Sequence, residues 1–126
     1  MNPVLKKLLY KGQAPVLLLR APEEFASTAA AFGGGVHTAA KGKYGFALAF
    51  AKSLADADAI AKSAAKALED DALFWMAYPK GTSKKYKGAD INRDTAHARM
   101  GKLGFVGVSL VALDDDWSAM RFKRKG

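Results

Sequence analysis

Lys80, Thr82, Ser83, Lys84 and Arg93 bring two ammonium groups, two hydroxyls and a guanidinium into one short stretch. Groups of these types, held on one loop, could bind a phosphate or a carboxylate through charge-assisted hydrogen bonds. Asn92 can open a helix directly after them, and the positive end of that helix would face the same anion. The competing arrangement is internal: Lys80 and Lys84 could pair with the acidic run Asp114-Asp115-Asp116 and neutralise it. If the lysines are free for a ligand, replacing Lys80 and Lys84 by Ala is expected to weaken anion binding several-fold. Trp117, beside the aspartates, is the aromatic expected to line a cleft.

Other chemistries have less support. Consecutive aspartates diverge, and no second carboxylate cluster completes a Mg²⁺ or Ca²⁺ shell. His37 and His97 lack metal-ligand spacing, and the absence of cysteine excludes disulfides, thiolate zinc sites and cysteine nucleophiles. No serine lies in a nucleophile elbow. No cofactor, metal or catalytic residue is expected. The triple glycine Gly33-Gly34-Gly35 follows a helix, whereas a phosphate-cradling loop needs glycine between the first strand and its helix. That place is taken by Arg20-Ala21-Pro22.

The net charge of +8 is unevenly spread, with +2 on residues 1–78 and +6 on residues 79–126. A field of that sign favours phosphate-bearing partners. It admits a nucleic-acid reading, with Tyr86 or Trp117 stacking on bases and Arg121, Lys123, Arg124 and Lys125 on phosphates. A solvated, loosely ordered C-terminal end is the plainer reading of those four cations. Lys6 and Lys7 precede only Leu8-Leu9-Tyr10, too short an apolar run for a signal peptide. No stretch reaches the ~20 apolar residues of a membrane span, so a cytoplasmic protein with no membrane partner is expected.

The elements that position these residues read as one α/β domain over residues 1–126. Pro15–Arg20, Phe46–Lys52 and Ala72–Tyr78 are continuous apolar runs, as in parallel strands buried on both faces. A short helix after Asn2-Pro3 has Val4, Leu5, Leu8 and Leu9 inward and ends at Gly12. A second, opened by Pro22, has Phe25, Ala26, Ala29 and Phe32 inward. Residues 36–40 form a weak strand whose short return loop leaves two options: a very brief parallel strand, or a pairing that is not parallel. Ser53 and Asp56 have capping-box spacing, and Ala57, Ile60, Ala61, Ala64 and Leu68 form the stripe of the helix they open. Asp58, four residues before Lys62, is placed to support it. A further helix, capped by Asp90 or Asn92, runs to about Lys102 with Ala96, Met100 and Leu103 inward. Phe105–Leu113 and Trp117–Arg124 close the chain as an antiparallel hairpin.

This order is the outline of a shortened class I methyltransferase core. More closely, the chain resembles an uncharacterised family of short bacterial proteins (a domain of unknown function) through Val16–Phe25, Leu73–Lys80 and Asp114–Lys123. The resemblance implies a three-layer, Rossmann-like, mostly parallel sheet whose final strand is inserted antiparallel beside residues 105–112. It implies no site residues. Three departures bear on methyl transfer. Ala21-Pro22 replaces the glycine motif after the first strand, and Lys41 replaces the acid that would hold a ribose. Lys52-Ser53-Leu54 carries neither an Asn/Asp-Pro-Pro signature nor an aromatic. The expectation is a degenerate methyltransferase-like domain acting as a non-enzymatic binding or accessory module. Its partner would be an anionic small molecule or a protein, met by the Lys-rich loop. Sequence-nonspecific nucleic-acid binding is the alternative, and a cryptic enzyme the third reading.

Overall fold

Asn2 accepts hydrogen bonds from the backbone N–H groups of Val4 and Leu5, and Pro3 follows it, so the chain begins with a capped single turn of helix. The structure, a computed structural model, describes residues 2–125. Its elements are α1 (Pro3–Lys7), β1 (Val16–Leu19), a 3-10 turn at Glu23–Phe25 running into α2 (Ala26–Ala29), β2 (Val36–His37), β3 (Tyr44–Phe50), α3 (Leu54–Ala67), β4 (Leu68–Pro79), α4 (Arg93–Lys102), β5 (Phe105–Ala112) and β6 (Trp117–Arg124). The six strands form one sheet in the order β2-β1-β3-β4-β6-β5. β1 to β4 are parallel, and β6 lies antiparallel between β4 and β5. The expected insertion of the last strand is therefore present.

Alternation along the strands feeds two cores, which makes the three layers. Leu17, Ala47, Ala49, Phe74, Met76 and Phe122 face α3 and α4. Val16, Leu18, Phe46, Leu48, Phe50 and Trp75 face α1 and the 3-10/α2 segment. The alanines of α3 (Ala57, Ala61, Ala64, Ala67) let it lie close to the sheet.

Several expectations about local structure are corrected. α1 ends before Gly12, because Leu9 takes a left-handed φ of 62° and turns outward, 45% exposed. Ala26 is exposed, since a 3-10 start shifts the phase of the helix it leads into. β3 begins and ends two residues earlier than Phe46–Lys52. α3 stops at Ala67, so Leu68 is buried as the first residue of β4 and not as the last of the helical stripe. Asp58 pairs across to Arg99 on α4 at 2.8 Å, not along the helix to Lys62. Leu103 is 41% exposed, because the chain leaves α4 there for the Gly104 turn, at φ 96°.

β2 is parallel to β1 and only two residues long. His37 is level with Leu17 and thus with Ala47 of β3, so the return to Tyr44 retreats three residues, about 10 Å. Six residues can cover that. The triple glycine has a packing role here. A Cβ on Gly34 would lie 2.1 Å from the Ala14 Cβ, and the Gly35 carbonyl accepts from the Val16 N–H that starts β1. Gly34→Ala is expected to destabilise the domain by about 2 kcal/mol through overpacking, read as a lower urea midpoint. An unchanged midpoint would mean that the Ala14 segment gives way freely.

Candidate functional site

β4 delivers the lysine loop to the carboxyl edge of the sheet, and the Asp run holds the loop's first turn. The Lys80 N–H donates to the Asp116 carbonyl at 2.8 Å, and the Ser83 N–H donates to the Lys80 carbonyl at 3.0 Å. The Ser83 hydroxyl donates to the Asp116 carboxylate at 2.8 Å and accepts from the Tyr86 N–H at 3.0 Å. Asp114 turns on itself, accepting from the N–H groups of Asp116 and Trp117. The aspartates are thus turn formers. No ion pair among the described residues joins Lys80 or Lys84 to them.

A second cluster ties down the far end of the loop. The Glu24 carboxylate accepts from the Tyr86 hydroxyl, from Trp117 Nε1–H at 3.1 Å and from Lys85 Nζ at 3.1 Å. Burial alone would raise the Glu24 pKa, but the three donors from Tyr86, Trp117 and Lys85 outweigh it and hold the carboxyl at about 2. Burial and the neighbouring Glu24 carboxylate push the Tyr86 phenol up to about 12. The Tyr86 ring packs on Trp117 with centroids 4.8 Å apart, and the Lys52 and Lys85 ammonium groups approach it at 5.3 and 5.7 Å.

Trp117 is therefore a core residue, 1% exposed between Phe50 and Tyr86, and not the cleft wall expected. Ser83, 4% exposed, is likewise committed inside the protein. Lys84 is exposed and lines no described hollow with the others. Lys80, Thr82 and Arg93 do come together. They border a hollow of about 390 Å³ at the end of β4, with Asn92 and Asp94 on one side and Tyr78 and Ser118 on the other. Asn92 and Thr95 form a reciprocal capping box with bonds of 3.0 and 2.8 Å, which fixes the direction in which α4 leaves the hollow. Burial raises the Tyr78 phenol's pKa, so it stays protonated. Arg93 Nε lies 3.5 Å from the Asp94 carboxylate, on side chains that are both largely exposed. The reading of single residues passed over Tyr78, Asp94, Leu110 and Ser118. The signal for Ser118 lay in pairing, since it faces Tyr78 across β4 and β6.

Strand order reverses at this edge between β1 and β3, where open α/β sheets usually bind ligands. Here the protein's own carboxylates take up groups at the strand ends. Arg20 Nη1 donates to Asp56 Oδ1 at 2.9 Å, while Asp56 Oδ2 accepts from the Lys52 N–H at 2.9 Å. At the start of α3, Ser53 Oγ accepts from the Asp56 N–H, and the Asp90 carboxylate accepts from the Leu54 N–H at 2.8 Å. Asp56 reaches back to residue 52 and not to Ser53, so the expected capping box is only half made. Asp90 caps α3 across space while Asn92 caps α4.

Three of the four C-terminal cations are also engaged. Arg121 Nε donates to Ser109, Arg124 to the Ala65 and Leu68 carbonyls at the end of α3, and Lys125 Nζ to the Gly101 carbonyl in α4. Residues 117–125 are a bonded strand end, not a solvated tail. His37 Nδ1 lies 2.6 Å from the Tyr44 hydroxyl, and no group of three or more His, Asp and Glu side chains among the described residues could hold a metal ion. None of the described helices is long and apolar enough to cross a membrane.

Solved structures similar to this chain include methyltransferases. The ribosomal protein L11 methylase from Lactobacillus delbrueckii subsp. bulgaricus is 9% identical, with a TM-score of 0.59 over 98% of this chain and 75% of that one. The N-methyltransferase NodS from Bradyrhizobium japonicum WM9 is 9% identical, with a TM-score of 0.62 over 99% of this chain and 98% of its own. The CcbJ methyltransferase from Streptomyces caelestis is 10% identical, with a TM-score of 0.56 over 96% and 93%. The chain is thus an α/β protein with a Rossmann-like, methyltransferase-like fold. No protein-family model and no curated protein matches the sequence.

Proposed function

We propose that this domain binds an anionic small molecule, one carrying a phosphate or carboxylate, in the hollow bordered by Lys80, Thr82 and Arg93. It acts there as a binding or accessory module on a methyltransferase-like fold, and not as a methyltransferase. The observation that carries the reading is the convergence of those three side chains, from two different elements, on one opening of about 390 Å³. Arg93 is bound only loosely, to Asp94, and Lys80 has no carboxylate partner among the described ion pairs. The reversal point between β1 and β3 supports the same view from the other side. An anion entering there meets Asp56 and Asp90, which already take the Lys52 and Leu54 N–H groups.

Calorimetric titration with pyrophosphate and with S-adenosylmethionine tests the reading. Lys80→Ala and Arg93→Ala are each expected to weaken pyrophosphate binding about fivefold, the roughly 1 kcal/mol of one exposed charged contact. Binding should also weaken as salt screens the site. Lys84→Ala, away from the hollow, should change little. Equal affinity in the Lys80→Ala/Arg93→Ala double variant would remove the site. Tight S-adenosylmethionine binding, with amide shifts at residues 20–22 and 52–54, would instead restore the methyltransferase reading.

A further inference from the structure

The anion hollow does not end at α4. A second hollow of about 400 Å³, lined by His97, Gly107, Ser109, Leu110 and Met120, shares Arg93, Asp94 and Leu110 with the first. Two features of β5 shape it. A Cβ on Gly107 would lie 2.7 Å from both His97 Cδ2 and Met120 Sδ, so the glycine lets those two side chains close down on the strand and form the wall there. The register between β5 and β6 also slips between Gly107 and Ser109. Gly107 pairs with Phe122 and Leu110 with Met120, both on the α3/α4 face, with Ser109 paired to Arg121 between them. Without that bulge, simple alternation would send Leu110 to the other side of the sheet. Leu110 instead stands over the hollow, 45% exposed.

We propose that the two hollows are one groove and that its ligand is an amphipathic anion. A single phosphate or carboxylate head sits at Lys80, Thr82 and Arg93, and an aryl or short acyl body lies over Leu110 and Met120 beside His97. Charge sets the head group: Asp94 offsets part of the cationic field at the shared wall, which suits a monoester or monocarboxylate over a polyphosphate. An apolar residue this exposed, continuous with a charged opening, has the division of labour of a small-molecule site. The proposal rests on the reading of Lys80, Thr82 and Arg93 as the anion site.

The test compares inorganic phosphate with 1-naphthyl phosphate by amide NMR titration of the full chain. Naphthyl phosphate is expected to bind about tenfold more tightly, the gain from burying part of an aromatic ring. Its shifts should extend to residues 97, 107, 110 and 120. Leu110→Ser should lower naphthyl phosphate affinity about fivefold and affect inorganic phosphate less, whereas Lys80→Ala should weaken both about equally. Equal affinity for the two probes would overturn the groove and leave the anion site standing. Failure of both to bind would overturn the anion site and this inference with it.

Discussion

Glu24→Ala is expected to lower the stability of the domain by about 2 kcal/mol, the loss of hydrogen bonds to a charged acceptor together with a buried donor left unpaired. The donor is Trp117 Nε1–H, on a side chain 1% exposed. The Tyr86 hydroxyl and Lys85 lose their partner in the same step, so the loop from Lys80 to Lys87 is released at its far end. The Glu24 side chain is itself 27% exposed, so water screens part of the gain. The pH dependence has a definite sign. The folded state holds the Glu24 carboxyl at about 2, below its ordinary 4.5, so its contribution is complete above about pH 4.5 and is lost as the pH falls toward 2. Urea denaturation at several pH values checks this. The gap in stability between the native chain and Glu24→Gln should be widest near neutrality, narrow below about pH 4.5 and close only near pH 2. A gap independent of pH would mean that the carboxylate charge does not hold the cluster together. Trp117 emission should change in the same variant.

Trp75→Ala should cost more, about 3–5 kcal/mol, the range for deleting a large aromatic from a packed core. Trp75 is 1% exposed at the middle of β4, in the layer that joins the sheet to α1. Its Nε1–H donates to the Leu8 carbonyl at 2.9 Å, so this one side chain also fastens the end of the first helix. Trp75→Phe separates the two roles. It keeps most of the packing and leaves the Leu8 carbonyl without that donor, for an expected cost of about 1–2 kcal/mol. Equal midpoints for Trp75→Phe and Trp75→Ala in denaturant would show that the hydrogen bond, not the ring's burial, dominates.

The two variants divide the molecule usefully. Trp75 belongs to the fold, and losing it should weaken every property together. Glu24 belongs to the loop's anchorage, so Glu24→Gln should disturb amides 80–87 before it disturbs the sheet. That anchorage bears on the proposed binding site, because Lys80 and Thr82 border one hollow with Arg93 in the folded arrangement of the loop.

The pattern of residues along the chain determined the parallel core. Val16–Leu19, Phe46–Phe50 and Phe74–Tyr78 are apolar at every step, and only a strand covered on both faces can bury such a run. It also determined that β6 returns antiparallel after the Asp turn, that Ser53 opens a helix and either Asp90 or Asn92 the next, and that the triple glycine is a turn with no ligand-loop geometry. These are local matters of periodicity, caps and backbone freedom. Lys80, Thr82 and Arg93 were legible as candidates because cationic and hydroxyl groups in a loop after a parallel strand mark the edge where ligands bind.

What tertiary structure alone decided are the partnerships between residues far apart in sequence. Glu24 takes Trp117 and Tyr86, Asp90 caps a helix begun 36 residues earlier, and Arg124 caps the end of that same helix. Hydrogen bonds of this kind withdrew Trp117, Ser83, Arg121 and Arg124 from the set of free groups, although their residue types suggested ligands. The bulge that aims Leu110 at α4 was equally hidden, because a one-residue slip in register leaves composition and alternation almost unchanged while reversing the face of every later side chain. Propensity and periodicity act over a few residues. Whether a polar group is spent inside the protein or left for a ligand depends on what the fold brings against it.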